Sequence, residues 1–211
     1  MPFPTQVFYN TGQTCDAPTR LLVEHSIYKE VVEIAAAYGQ RQEVGPPSQS
    51  GDHIGPVAFG LHYQRVQDYI QLGIDEGATL LCGGVGKPAG YETGYYVKPT
   101  VFADVNNTMR IAREEVFGPV VVLIPFEDEA QGLAIANDTP YGLAAYLQTG
   151  DPARAERVAA RLRAGAVHVN GGEFNYGSPF GGYKQSGNGR EGGAPGLEDY
   201  QELKTLHLAG F

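Results

Sequence analysis

The chain has 211 residues, a formal net charge of −9, 42% hydrophobic residues and only two cysteines. That length supports one core of ordinary size. The acidic balance argues against nucleic acid or an anionic membrane as partner, and two cysteines make no disulfide framework. No apolar run approaches a membrane span and no leader pattern opens the chain, so a reduced, cytoplasmic setting is expected.

Residues 1–16 read as loop leading to the first thiol, and 19–24 as a strand. Residues 27–38 form a helical pattern with Ile27, Val31, Ile34 and Ala35 on one face. Residues 45–51, with two prolines and two serines, are loop. Residues 58–76 carry the strongest helical stripe: Val66, Tyr69, Ile70, Gly73 and Ile74. A short strand over 78–82 ends at Gly83-Gly84, a Gly/Pro-rich loop fills 84–94, and 95–102 reads as extended, with Pro99 marking an edge or a bulge.

A short helix over 109–116 then meets a turn at Gly118-Pro119. Residues 120–126 are a continuous apolar run of the kind buried on both faces. A helix over 127–137 and a strand over 144–148 follow. Asp151 is placed to cap a helix over 152–163 whose inward residues are Ala155, Val158, Ala159 and Leu162. A strand covers 166–170. The Gly-rich stretch 171–196 is long for a structureless loop, which points to a function. A short helix over 197–202 and a strand over 204–208 end the chain. Strands alternating with helices imply βαβ units, hence an α/β fold with a mostly parallel sheet and flanking helices.

The stretch 8–17 reads Phe-Tyr-Asn-Thr-Gly-Gln-Thr-Cys-Asp-Ala. Gly12 permits a tight turn, and the polar neighbours of Cys15 are not the company of a core cysteine. A thiol on such a turn would have backbone N–H groups nearby, which favour a thiolate and an oxyanion. A buried, inert cysteine is the alternative. Cys82, at the end of an apolar strand, reads as that kind. His25, His53, His62, His168 and His207 are scattered, with no pair at metal-ligand spacing.

The wording of 8–17 resembles the active-site cysteine signature of the aldehyde dehydrogenase superfamily. Residues 113–120, Arg-Glu-Glu-Val-Phe-Gly-Pro-Val, resemble that family's cofactor-contact segment. Residues 178–191, Ser-Pro-Phe-Gly-Gly-Tyr-Lys-Gln-Ser-Gly-Asn-Gly-Arg-Glu, resemble its C-terminal signature. The three motifs stand in order, and the resemblance covers nearly the whole chain, but only as the C-terminal part of a family member. The resemblance implies oxidation of an aldehyde to a carboxylic acid with NAD or NADP as hydride acceptor. It implies Cys15 as nucleophile, Glu115 on the nicotinamide ribose, and Phe117 beside the nicotinamide. Without the motif, Glu115 would read as a surface charge and Phe117 as core.

The resemblance further implies that Asn170 lines the active-site region, although a turn residue before Gly171-Gly172 is the alternative. Thr14 and Asp16 flank the thiol and suggest a polar substrate mouth. Phe180-Gly181-Gly182 and residues 187–190 are expected to shape the tunnel wall, with no catalytic role for Arg190 or Glu191. The general-base glutamate, the oxyanion asparagine and the nucleotide-binding half lie before the cysteine in the family. They map onto no residue here, so cofactor binding by this chain is expected to be weak or absent. The letters of residues 187–192 fit Gly-x-Gly-x-x-Gly but fall in a loop. One catalytic domain is expected over 1–196, with 197–211 a helix and an oligomerisation strand. That strand either pairs with another copy or folds back on its own sheet. Two functions stay open: an aldehyde dehydrogenase catalytic piece, or a non-catalytic remnant that acts by assembly.

Overall fold

A computed structural model describes residues 5–172 and 175–210. The strands are β1 (Arg20–Glu24), β2 (Glu43–Val44), β3 (His53–Ile54), β4 (Thr79–Cys82), β5 (Thr100–Ala103), β6 (Val120–Phe126), β7 (Ala144–Leu147) and β8 (Ala166–Val169). The α-helices are α1 (Tyr28–Arg41), α2 (Gly60–Asp75), α3 (Arg110–Arg113), α4 (Glu129–Asn137) and α5 (Pro152–Ala159). The chain divides into two compact units, Met1–Thr139 and Pro140–Phe211. The division falls inside the 1–196 span expected as one domain.

In the first unit the main sheet has the order β1-β6-β5-β4. β6 runs parallel to both β1 and β5, and β4 lies antiparallel to β5. β6 is apolar throughout because it is interior and covered on both sides. Its alternate residues serve different layers: Val121 and Leu123 join Val101, Ala35, Val7 and Phe8. Val120, Val122 and Ile124 join Phe102, Val66, Ile70 and Ile111 on the other face. Helix α1 thus covers one side and α2 with α3 the other, a layered α/β architecture.

Helix α2 buries Val66, Ile70 and Gly73 at i, i+4 and i+7. Gly73 is small because a Cβ there would press to 3.1 Å from the Phe102 ring. Ile74, expected in the same stripe, is partly exposed. It lies one residue round the helix from the buried line. Asp128 caps α4 by accepting from the Gln131 N–H at 2.8 Å.

Several expectations are corrected. The described part of 1–16 is not plain loop: Thr5–Gly12 forms tight helical turns broken by a kink at Tyr9–Thr11. The extended stretch 95–102 pairs only from Thr100. Pro99 precedes the strand, where its missing N–H costs no ladder bond. The irregularity lies instead across from it, between Leu80 and Cys82. The two-residue parallel pair β2–β3 has no pattern long enough to show in a sequence.

In the second unit β7 pairs in parallel with β8, with α5 between them in sequence. Asp151 accepts from the N–H groups of Ala153 and Arg154 at 2.9 and 3.2 Å, and Pro152 follows at the first helical position. Val158 is the buried residue of α5. Residues 175–196 close on themselves through a Phe180–Glu191 bridge. Arg190 donates to the Gly182 and Gly189 carbonyls at 2.9 and 2.8 Å. The expected helix at 197–202 is a 3-10 turn at Pro195–Tyr200. The expected strand at 204–208 has no strand partner among the described residues, and its side chains are exposed. It does not fold back onto the sheet of its own unit.

Candidate active site

Three consecutive left-handed residues lead to the first cysteine: Asn10 (φ 49°), Thr11 (φ 59°) and Gly12 (φ 69°). A β-branched residue in that region is strained by roughly 1–2 kcal/mol, so its surroundings must hold it there. Thr11 is buried and its hydroxyl donates to the Gly55 carbonyl at 3.1 Å. The Asn10 carbonyl accepts from the Gln13 main-chain N–H at 3.1 Å and from its side-chain amide at 3.2 Å. Gln13 Oε1 in turn accepts from the Ala58 N–H at 2.9 Å. A Cβ on Gly12 would run into the Gly118 carbonyl, so glycine lets these two backbones touch.

The Thr14 carbonyl accepts from the Ala17 N–H at 3.1 Å, which puts Cys15 and Asp16 on the corner of a turn. Cys15 is exposed, while Thr14 and Asp16 are half-buried beside it. Among the described residues the Cys15 N–H has no acceptor. An accessible thiol with an unspent N–H on a pinned turn is the arrangement a nucleophile and oxyanion donor require. Cys82 differs: it is half-buried, its Sγ lies 3.8 Å from the Pro99 carbonyl, and burial pushes its thiol pKa up.

The second element of the site is the segment 114–118, between α3 and β6. Its two carboxylates have opposite fates. Glu114 is taken up by Arg110 Nε at 2.7 Å and the Tyr69 hydroxyl at 2.8 Å. The Arg110 bond, then the Tyr69 bond, holds its carboxyl below the usual range. Glu115 is exposed, and its carboxylate has no partner among the described residues. Only its main-chain carbonyl is engaged, by Arg65 Nη2 at 2.5 Å. Phe117 is half-buried with φ 60°, left-handed like Asn10 and Thr11. Its carbonyl lies 2.7 Å from His62 Nε2. A carbonyl only accepts, so that nitrogen carries the proton. The two rings also meet edge-on at 6.1 Å.

The contact between Gly12 and Gly118 joins the chain three residues before Cys15 to the chain one residue after Phe117. Both stretches precede neighbouring parallel strands, β1 and β6, so they sit at the amino ends of those strands. A carboxyl-end location, the usual one in α/β sheets, is not what this pair shows. Asn170 does follow the carboxyl end of β8, in the second unit. Its Oδ1 accepts from the Thr149 N–H and its Nδ2 donates to the Thr149 carbonyl, both at 2.9 Å. Its amide is spent closing β7 against β8, and its φ of 51° marks a turn residue. His62 and Arg65 were not singled out from the sequence. Their spacing with Val66 and Tyr69 along one helix was the available signal. Among the described residues no cluster of three His, Cys, Asp or Glu side chains is placed to hold a metal.

The profile of the Aldehyde dehydrogenase family matches residues 4–206. The 3-succinoylsemialdehyde-pyridine dehydrogenase of a Pseudomonas species is 50% identical over 197 residues, covering 93% of this chain and 41% of that protein. Among solved structures, an aldehyde dehydrogenase from Bartonella henselae superposes with a TM-score of 0.91 at 53% identity, covering 92% of this chain and 41% of that one. A cysteine-to-alanine mutant of aldehyde dehydrogenase C from Pseudomonas syringae, complexed with NAD+ and octanal, gives a TM-score of 0.91 at 48% identity. It covers 93% of this chain and 41% of that one. The chain thus spans 41% of the length of each of these relatives.

Proposed function

The chain belongs to the aldehyde dehydrogenase family, and on that premise we propose that it carries the nucleophile-bearing part of an enzyme that oxidises an aldehyde to a carboxylic acid with NAD or NADP. The observation that supports this reading is the exposed Cys15, three residues after Gly12, whose backbone meets that of Gly118, the residue after Phe117. The Cys15 thiolate adds to the aldehyde carbon, and the carbonyl electron pair moves to oxygen. The Cys15 N–H donates to that oxygen. When bound, a nicotinamide dinucleotide would supply the acceptor for the hydride that leaves the same carbon. Water then cleaves the resulting thioester, releasing the acid and restoring the thiol.

The residues present fit the nicotinamide–ribose end of such a cofactor. The unpaired Glu115 carboxylate can accept from two ribose hydroxyls at once, whereas Glu114 next to it is already engaged. Phe117 offers a half-exposed ring beside it. Thr14 and Asp16 flank the thiol and form the mouth through which the aldehyde arrives.

No residue of this chain is assigned the base that activates water, and none is assigned to the adenosine end. Positioning is worth about 7–11 kcal/mol and a general base about 10²–10⁴ in rate. Residues 1–211 alone are therefore expected to reduce NAD slowly yet to keep a reactive thiol. The test uses p-nitrophenyl acetate. Wild type releases nitrophenolate through an acyl-cysteine, and Cys15→Ser releases none above the uncatalysed rate. Equal release by the two proteins contradicts the assignment.

A second reading is favoured by the exposed C-terminal segment: a subunit that acts by assembly, with residues 204–208 pairing with a second copy. The two are compatible, since the thiol and the tail belong to different parts of the chain.

A further inference from the structure

We infer that helix α2 is the device that sets the geometry of segment 114–118, with His62 and Arg65 as positioning residues for Glu115 and Phe117. The inference rests on the reading that those two residues meet the nicotinamide end of the cofactor. His62, Arg65, Val66 and Tyr69 stand at i, i+3, i+4 and i+7, a single stripe of the helix. Each holds a different residue of the segment. His62 Nε2–H donates to the Phe117 carbonyl at 2.7 Å. Arg65 Nη2 donates to the Glu115 carbonyl at 2.5 Å. The fully buried Val66 has its methyl carbons where a Cβ on Gly118 would go, at 2.8 and 2.9 Å. The Tyr69 hydroxyl donates to Glu114 Oε2 at 2.8 Å.

The two bonds from His62 and Arg65 go to main-chain carbonyls. They fix the backbone and leave the Glu115 carboxylate unspent. Val66 is placed by the core around Ile70 and Phe102, so the helix is anchored independently of the polar contacts it makes. Phe117 has most need of such a hold. At φ 60° an aromatic residue persists only where its neighbours over-determine it. Without the His62 donor, relaxation to negative φ would swing the Phe117 ring and carry Glu115 with it.

The test compares His62→Leu, His62→Gln, Arg65→Leu and Arg65→Lys with wild type in the 211-residue chain. Two quantities are read: the backbone order parameters of residues 115–118 from nitrogen-15 relaxation, and the dissociation constant for NADH from its fluorescence. His62→Leu and Arg65→Leu are expected to lower the order parameters at 115–118 from about 0.85 toward about 0.6, with little change in thermal midpoint. NADH binding should weaken in step. Gln keeps an amide donor and Lys a cationic one, so those variants should restore most of both. Order parameters at 115–118 unchanged in both Leu variants overturn the inference. So does a loosened segment with NADH bound as tightly as by wild type. If wild type itself does not bind NADH while the order parameters follow the expected pattern, the clamp stands and the cofactor reading of Glu115 and Phe117 falls. Arg65 is at the surface, so its variants test the inference even if a His62 variant does not fold.

Discussion

Glu114 and Glu115 are adjacent and identical in type, yet only one is tied down, and the difference comes from elsewhere in the chain. Arg110 and Tyr69 hold Glu114 from one helix turn away and from α2, contacts that no local pattern announces. The Glu114 carboxyl is held below its ordinary value, chiefly by Arg110. The stability it contributes is therefore present above the unfolded-state pKa of about 4.3 and is lost as pH falls through the lower folded value. Glu114→Gln should lower stability near pH 7 by about 0.3–1 kcal/mol, the worth of a solvent-screened ion pair. The gap between variant and wild type should close in acid. Thermal midpoints measured from pH 7 down to pH 3 check this; a gap that widens in acid contradicts it. The exposure of Cys15 was legible because its polar, Gly-containing surroundings are local, while its proposed role came from the family motif. The left-handed Phe117 was not, because its φ depends on His62, 55 positions away.

Among the elements, β6 could be read directly, because a strand buried on both faces must be apolar at every position. Leu123 is fully buried in the layer beneath α1. Leu123→Ala should cost about 2–5 kcal/mol, measured as a shift in the denaturant midpoint. A cost below that range would mean that the layer collapses around the hole. Gly12→Ala tests the joint between the two site loops. Its Cβ meets the Gly118 backbone at positive φ, so one of the loops must move. A loss of about 1–3 kcal/mol together with loss of esterase activity is expected. Wild-type stability and activity would contradict the contact. Less was legible where local pattern gives no sign of pairing: the turns at Thr5–Gly12, the β2–β3 pair, and the amino-end placement of both site loops. The segment 204–208 has strand-like sequence but no neighbour to pair with among the described residues, and sequence pattern reports the first of these, not the second.

For the molecule as a whole, the exposed tail is the main feature the fold leaves unresolved within one copy. Leu203, Leu206 and Leu208 are 97%, 71% and 71% exposed. Apolar side chains on an unpaired extended segment favour pairing with a second copy. Sedimentation of residues 1–211 should show association at micromolar concentration, lost on deletion of residues 201–211; a monomer in both cases counts against it. Among the described residues no helix is long and apolar enough to cross a membrane. Order and spacing of the motifs carried the family, and the turn geometry supports the chemistry proposed for it. Cys15 is the proposed nucleophilic thiol of the chain, and iodoacetamide labelling of the native protein, mapped by peptide mass, tests this most directly. Cys15 is exposed, while burial holds Cys82 in its unreactive thiol form. Carbamidomethylation of Cys15 should therefore run at least about tenfold ahead of Cys82, whereas equal rates, or Cys82 labelled first, would contradict the assignment.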